Sequence, residues 1–204
     1  MSNGTLAGPD GRPRCRWCLA TPQYRQYHDT EWGFPVGDDQ RMFEKLCLEG
    51  FQSGLSWRTV LEKRDNFREA FEGFDIARVA AFTEADIDRL LQNPGIIRHR
   101  GKISAAINNA RRALELREKE GSLAAFLWRY EPRPHTAWEP AAVTTCVESH
   151  ALSRELKKRG WQFVGPTTLY SFMQSMGMVN DHAEGCFVRE DVERARDKFS
   201  RPAR

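Results

Sequence analysis

Apolar residues recur at spacings of three and four along most of the chain after Asp38, which is the pattern of amphipathic helices. Sustained alternation of apolar and polar residues, which would indicate half-buried strands, is almost absent. The pattern therefore predicts an all-α fold. The clearest helix covers residues 102–119, and its apolar face consists of Ile103, Ala106, Ile107, Ala110, Ala113 and Leu114.

Polar residues that can cap helices stand where the helices are expected to begin. Asp38 can cap a helix that runs to about Glu49, and Ser56 can cap a second one. Thr83 and Asp86 form a capping-box pattern ahead of a third helix. Further helices are predicted over residues 122–130, 150–159, 167–176 and 189–199.

Composition along the chain predicts one domain with two flanking segments, which suits a length of 204 residues. Residues 1–13 are rich in Gly and Pro, and we expect them to be disordered. Residues 14–187 are expected to form a single helical domain. Its Pro-rich stretch at 131–140 is interpreted as a loop, because similar helices flank it. Residues 188–204 form a charged tail.

Charge and hydropathy limit the classes of protein to which the chain can belong. No apolar run approaches the ~18 residues of a membrane span, and the N-terminus lacks an apolar signal-peptide core. We therefore expect a cytoplasmic protein, a monomer without a membrane partner. Its five cysteines are more typical of free thiols or metal ligands than of a disulfide framework. A net charge of +3 allows a polyanionic partner only if the charge is concentrated on one face.

Glu49 lies at the edge of the apolar stripe of its helix, seven residues after Met42 and three after Leu46. A carboxylate in that position is partly desolvated, so it needs a partner or a shifted pKa. Two glycines follow, and Trp57 closes the segment. One interpretation is a pocket walled by aromatic rings. The alternative is a glutamate at a helix end that reaches water.

The first ordered part of the chain is dense in aromatic residues, which suggests either a stacking pocket or an aromatic core. Most of these rings offer a polar tip as well as a face. They are Trp17, Tyr24, Tyr27, His28 and Trp32.

Cysteine and histidine occur together near both ends of the chain. Cys15 and His28 lie near the start, and His182 and Cys186 lie near the end, so the four could hold a structural zinc ion tetrahedrally. The alternative is buried thiols and core histidines. Cys18 could compete for the metal or form a redox pair with Cys15.

The segment 93–102 places a Pro-Gly turn, with Gly95, before the start of a helix. Unpaired backbone N–H groups at a helix start bind phosphate well. Three cationic side chains lie in the same segment, so it could bind a nucleic-acid backbone without recognising the base sequence. The alternative is an ordinary solvated turn. The cations are Arg98, Arg100 and Lys102.

Five motifs occur in this order: Tyr27-His-Asp-Thr-Glu-Trp-Gly33, Leu48-Glu-Gly with Gly54-Leu-Ser-Trp57, Gly95-Ile-Ile-Arg-His-Arg-Gly-Lys102, Tyr170-Ser-Phe-Met-Gln174 and Val179-Asn-Asp-His182. Together they closely resemble the 3-methyladenine DNA glycosylase I family. The resemblance extends from about Cys15 to Cys186, and several motifs matching together are far more specific than any one of them.

The resemblance implies an all-α helix-hairpin-helix fold whose N- and C-terminal regions are joined by one structural zinc ion. It implies that Leu55 fills the gap left by a flipped nucleotide. The implied zinc ligands are Cys15, His28, His182 and Cys186. The implied base pocket consists of Trp17, Tyr24, Tyr27, Trp32, Glu49 and Trp57.

The implied activity is hydrolysis of the N-glycosidic bond of 3-methyladenine in double-stranded DNA, after base flipping, leaving an abasic site. Methylation makes the base cationic and weakens its bond to the sugar. Glu49 would then attract the cation, with Tyr27 and Trp57 stacking on it. A weakened bond also fits the absence of any aspartate between Asp88 and Asp181, where many helix-hairpin-helix enzymes place a catalytic one.

Two other functions compete with this one. A non-catalytic protein could bind methylated DNA through the same pocket and hairpin. A zinc-containing redox protein could instead use Cys15 and Cys18 as its reactive pair.

Overall fold

The computed structural model describes residues 4–132 and 143–203, and helices dominate both parts. The predicted loop at 131–140 lies outside the described residues from 133 onward. No helix in the described parts is long and apolar enough to cross a bilayer. The helices are α1 (Pro22–Thr30), α2 (Asp39–Gln52), α3 (Trp57–Glu62), α4 (Arg64–Ala70), α5 (Ile76–Ala80), α6 (Glu84–Gln92), α7 (Arg100–Glu120), α8 (Leu123–Trp128), α9 (Val147–Lys158), α10 (Pro166–Ser175) and α11 (Arg189–Lys198).

The predicted helix caps are confirmed. The Asp38 side chain accepts a hydrogen bond from the backbone N–H of Arg41, and Ser56 accepts one from Thr59. Thr83 forms the expected capping box. These caps use partners a few residues away, which satisfies the first free N–H groups of each helix.

Helix α2 is the central element, and it packs against α3, α7, α8 and α10. It ends at Gln52, three residues beyond the predicted end, so Glu49 lies within the helix and not at its terminus. Because helices surround it, even its polar residues Lys45 and Glu49 are buried. Its buried apolar residues are Met42, Phe43, Leu46, Cys47, Leu48 and Phe51.

Lys102 joins helix α7 to the end of α2. Its Nζ donates hydrogen bonds to the carbonyl oxygens of Phe51, at 2.9 Å, and Ser53, at 2.5 Å. These carbonyls lie at the C-terminal end of α2, where the helix itself supplies no donors. The ammonium group therefore points into the protein, which argues against the predicted phosphate contact of Lys102.

The expected disorder of residues 1–13 is also wrong for the described residues from Gly4 onward. Strands β1 (Thr5–Ala7) and β2 (Pro13–Cys15) pair antiparallel. The guanidinium of Arg14 is buried and donates to Asp10 and to Asp29 of α1, with the shortest Asp29 contact at 2.8 Å. This ion-pair network anchors a segment whose composition alone indicated disorder.

The charged tail at 188–204 is part of the packed structure, so the predicted domain end at residue 187 does not mark an end of packing. Helix α11 buries Val192, and the Phe199 ring lies 4.8 Å from the ring of Trp128. Val192 and Phe199, two apolar residues in a segment that is otherwise mostly charged, make these contacts. A second apolar cluster joins both ends of the chain and comprises Cys15, Tyr27, Trp32, Leu61, Cys186, Val188 and Val192.

Replacing Lys102 with Met removes the donor from two carbonyls while keeping similar apolar bulk. We expect the free energy of unfolding to fall by about 1–3 kcal/mol, as for buried acceptors that lose a charged donor. Urea unfolding followed by circular dichroism measures this change. Lys157→Met, on the exposed side of α9, is the matched control and should change stability by less than about 0.5 kcal/mol. Equal stability of the two variants would contradict the anchoring role.

Candidate active site and metal centre

The aromatic residues of the predicted pocket form two groups. The Trp17 ring lies 4.9 Å from Tyr24 and 5.0 Å from Trp32. The second group pairs Tyr27 of α1 with Trp57, the first residue of α3, at 5.5 Å between ring centroids. The predicted rings are thus brought together in the fold, and the second group contacts Lys45, which lies 3.8 Å from Glu49.

Glu49 is buried, with only 4% of its surface exposed. Its Oε1 lies 3.8 Å from Nζ of Lys45, and its buried Oε2 has no hydrogen-bond partner among the described residues. Burial raises the pKa of Glu49 to about 7, and the neighbouring Lys45 opposes this rise. The expectation that this carboxyl is desolvated is confirmed by its burial. The alternative of a glutamate in water at a helix end is wrong.

Lys45 is the site residue that the sequence reasoning missed. Its Nζ donates a 2.6 Å hydrogen bond to Oη of Tyr27 and lies 3.6 Å from the ring centroid of Trp57, a cation–π contact. Burial lowers the pKa of Lys45 to about 8, although the charge of Glu49 raises it. Its position three residues after the buried Met42 and four before Glu49 was the available sequence signal.

Trp57 adds a second free polar atom to the site. Its Nε1 is buried and has no hydrogen-bond partner among the described residues, as is also true of Oε2 of Glu49. Buried polar atoms usually find partners, so those that do not are candidates for contact with a ligand or water. The site thus offers one acceptor, one donor and two aromatic faces.

Leu55 lies just before this site, in the turn that leads from α2 to α3. Gly54 takes a positive φ of 78°, which lets the chain reverse tightly. The Leu55 side chain is 43% exposed, unusual for a large apolar residue. An exposed apolar side chain in this position can insert into a binding partner, where the partner's apolar surface removes it from water.

The connection between α6 and α7 holds the predicted phosphate-binding residues. The backbone N–H of Gly95 donates to the Asn93 side chain, which stabilises the turn. Arg98 is exposed, as predicted for a phosphate contact. Arg100 is exposed but forms ion pairs with Glu84, at 3.0 Å, and Asp88, at 2.5 Å. With Lys102 turned inward, the cluster of three available cations is reduced to Arg98 and a paired Arg100.

Cys15, His28 and Cys186 form a buried cluster whose ligand atoms all lie within 4.8 Å of one another. They come from β2, from α1 and from the segment before α11, so the cluster joins the two ends of the chain. The Cys186 sulfur lies 3.5 Å from Nε2 of His28. Three of the four predicted metal ligands are therefore brought together.

The two histidines are oriented as metal-binding histidines usually are. Nδ1 of His28 lies 2.8 Å from Oδ1 of Asp29, and Nδ1 of His182 lies 2.8 Å from Oδ1 of Asn180. In such pairs the Nδ1 proton is held by oxygen and Nε2 is left to bind the metal. The Nε2 atom of His182 is buried without a partner among the described residues. The donor set therefore fits a metal ion.

Cys18 is fully buried and lies outside the group of mutually close ligand atoms. Cys15 is also buried, with 3% of its surface exposed, and both residues are free thiols. Thiols that exchange with partner proteins are usually accessible. The burial of both sulfur atoms therefore disfavours the redox interpretation.

Comparison with known proteins gives consistent matches over most of the chain. The family model for methyladenine glycosylase matches residues 17–190. DNA-3-methyladenine glycosylase 1 of Escherichia coli (strain K12) is 49% identical over 177 residues, which are 85% of this chain and 95% of that protein. A crystal structure of 3-methyladenine DNA glycosylase I has a TM-score of 0.80 and 51% identity, covering 85% of this chain and 98% of that one. A second, solved in complex with 3-methyladenine, has a TM-score of 0.81 and 36% identity, covering 86% and 97%.

Proposed function

The chain belongs to the methyladenine glycosylase family, and we propose that Glu49 is the residue with which it recognises 3-methyladenine. The protein is a DNA-3-methyladenine glycosylase, which hydrolyses the N-glycosidic bond of that base in alkylated DNA. The observation that carries the role of Glu49 is its buried carboxyl group, one oxygen of which has no partner among the described residues, next to a lysine that contacts both Tyr27 and Trp57.

Charge and shape explain how such a site selects the damaged base. Methylation at N3 makes the adenine of the nucleotide cationic, so the Glu49 carboxylate attracts it and accepts a hydrogen bond from its edge. The faces of Tyr27 and Trp57 also attract a cationic ring. Neutral adenine gains neither electrostatic contribution. The base must leave the helical stack before it can reach a buried carboxylate, so flipping precedes the reaction.

The reaction leaves a free base and an abasic site. Methylation has already weakened the glycosidic bond, so little further catalysis is needed to break it. The site can therefore work without a catalytic aspartate. Water then attacks the sugar. Lys102, the amine that could have suggested strand cleavage, is held by two backbone carbonyls and is not available as a nucleophile. The activity that we assign is monofunctional hydrolysis, in which water and not an amine of the protein attacks the sugar.

Double-stranded DNA containing 3-methyladenine is the partner, and two surface elements would hold it. Helices α6 and α7 with the turn between them would act as a helix-hairpin-helix unit, in which Gly95 and Arg98 contact the backbone and Arg100 exchanges its ion pairs for phosphate. Leu55 would fill the gap left by the flipped nucleotide. Its exposure at the entrance to α3 supports this role.

One structural zinc ion would be bound by Cys15, His28, His182 and Cys186. The clustered sulfur and nitrogen atoms and the free Nε2 of His182 support this set. Four protein ligands leave no open position for water, so the ion would hold the chain ends together and take no part in the reaction.

Glu49→Gln keeps the shape of the side chain and removes its charge. We expect release of 3-methyladenine from methylated duplex DNA to slow by about 10- to 100-fold, as for loss of a charge-assisted hydrogen bond. Single-turnover assays with chromatography of the released base measure this rate. Glu118→Gln, an exposed glutamate on α7, is the control and should keep the wild-type rate.

The dependence on pH gives the same experiment a second readout. Because the pKa of Glu49 is about 7 and the carboxylate is the active form, the wild-type rate should fall as the pH drops through about 7. The residual rate of Glu49→Gln should lack that fall. Full activity in the Gln variant would show that the role of Glu49 is wrong. Binding without any release by the wild type would favour the non-catalytic binder.

Leu55→Ala should affect duplex DNA more than single strands. We expect base release from duplex DNA to slow by about tenfold, because unpairing and unstacking a base costs a few kcal/mol that the side chain helps to offset. Release from a single-stranded substrate should change by less than about twofold, since no base pair has to open. Leu6→Ala, at an equally exposed leucine of β1, is the matched control. An equal loss on both substrates would contradict the role of Leu55.

Metal analysis tests the zinc proposal directly. The purified wild type should contain one equivalent of zinc, and the variants Cys15→Ala and His182→Ala should lose most of it. Cys18→Ser should keep the full equivalent, which makes it the matched control. Loss of zinc should also lower the thermal midpoint of unfolding, because the ion joins the two ends of the chain. A full equivalent in Cys15→Ala would remove that residue from the ligand set.

A further inference from the structure

The pocket assigned to a cationic base already contains a buried cation. Lys45 is 3% exposed and lies one helical turn before Glu49 on α2. Burying an ammonium group is unfavourable unless it is paired and hydrogen-bonded. Lys45 has an ion-pair partner in Glu49 and a hydrogen-bond partner in Tyr27. The fold therefore accommodates its charge within the site.

We propose that Lys45 is a positioning residue, which keeps Glu49 in the carboxylate form that receives the damaged base. This inference rests on the proposed function, because it concerns the charge of the residue that recognises the base. It assigns Lys45 no contact with the reacting atoms.

Glu49 needs such a partner because its surroundings favour the neutral acid. The side chain is buried, and Oε2 receives no hydrogen bond among the described residues. Burial raises the pKa of Glu49, and the influences that lower it come from Lys45. A protonated carboxyl would offer the cationic base no charge. Lys45 therefore sets the fraction of enzyme molecules in which Glu49 is charged, and so able to attract the cationic base, near neutral pH.

Lys45 places a positive charge near Glu49 without forming a hydrogen bond to its carboxylate. At 3.8 Å, the contact between Lys45 Nζ and Glu49 Oε1 is an ion pair and is too long for a hydrogen bond. The ammonium directs a proton to Tyr27 Oη instead, and the Trp57 ring covers it. Oε2 of Glu49 therefore stays available for the edge of the base.

Other charged groups near Lys45 have partners of their own. Glu31, after α1, accepts hydrogen bonds from Arg64 of α4, with the shorter at 2.5 Å. Glu44 of α2 is paired with Arg68 at 2.8 Å. Glu49 is thus the acid in the pocket that depends on Lys45. Besides Glu49, the charges that act on Lys45 are those of Glu31, Glu44 and Arg64. The hydroxyls of Tyr24 and Tyr27 are neutral, and burial together with the charge of Glu49 raises the pKa of both.

Lys45→Met removes the charge and keeps much of the side-chain volume. We expect the acid limb of the pH–rate profile for base release to move upward by about one pH unit or more. At about pH 6.5 the variant should then be roughly tenfold slower than the wild type, and the difference should narrow as the pH approaches about 9. Lys157→Met, exposed on α9, should keep the wild-type profile.

A second measurement does not depend on activity. In protein labelled with ¹³C at the glutamate carboxyl carbon, the signal missing from Glu49→Gln identifies Glu49. Its titration midpoint should rise in Lys45→Met and return toward the wild-type value in Lys45→Arg, which restores a positive charge. Circular dichroism of each variant confirms folding, and Lys45→Gln serves as the neutral variant if the Met protein does not fold.

The outcomes separate this inference from the proposed function. An unchanged Glu49 midpoint, or a loss of rate that is equal at every pH, would overturn the role of Lys45 and indicate a merely structural one. Failure of the wild type to release 3-methyladenine would overturn the proposed function. In that case the carboxyl titration would still decide whether Lys45 sets the charge of Glu49.

Discussion

The burial of helix α2 on nearly every side is the constraint on which the rest of the structure depends. A helix in that position loses water around its side chains and around its terminal carbonyls, and each polar group then needs a partner from the protein. Two lysines supply these partners. Lys45 gives Glu49 a counter-charge within the helix, and Lys102 of α7 donates to the carbonyls at its end. The same burial that makes Glu49 a strong charge partner for a cation therefore makes its own ionisation dependent on a neighbour.

The sequence predicted the features whose causes are local. Helix caps at Asp38, Ser56 and Thr83 use partners a few residues away, so composition and spacing were enough to find them. The N-terminal hairpin depends on Arg14 reaching Asp29 of another element. The C-terminal helix depends on contacts such as Phe199 with Trp128. Neither contact is visible as a pattern along the chain, and Gly, Pro and charge content indicated disorder or a tail instead.

The same distinction applies within the site. Glu49 could be marked as a candidate because its position on the apolar stripe is a property of one helix, and the motif resemblance then favoured the pocket over a solvated helix end. Lys45 and Lys102 could not be assigned correctly, because a long basic side chain can turn toward water or toward the interior, and tertiary contacts decide which. For the proposed metal site, the sequence offered cysteine and histidine at both ends of the chain. The oxygen atoms that orient the histidines, on Asp29 and Asn180, became apparent only when the fold placed them.

The Cys–His cluster proposed to hold a metal and the proposed base pocket share helix α1, and this explains why the two lie so close together. Tyr27 and His28 are consecutive, so their side chains leave the helix about 100° apart. His28 faces Cys186 at the junction of the chain ends, whereas Tyr27 faces Lys45 and Trp57. Any rotation of α1 that moved Tyr27 away from Lys45 would also pull His28 out of its cluster. Fixing the chain ends therefore fixes the hydroxyl that holds Lys45, and through Lys45 the charge of Glu49.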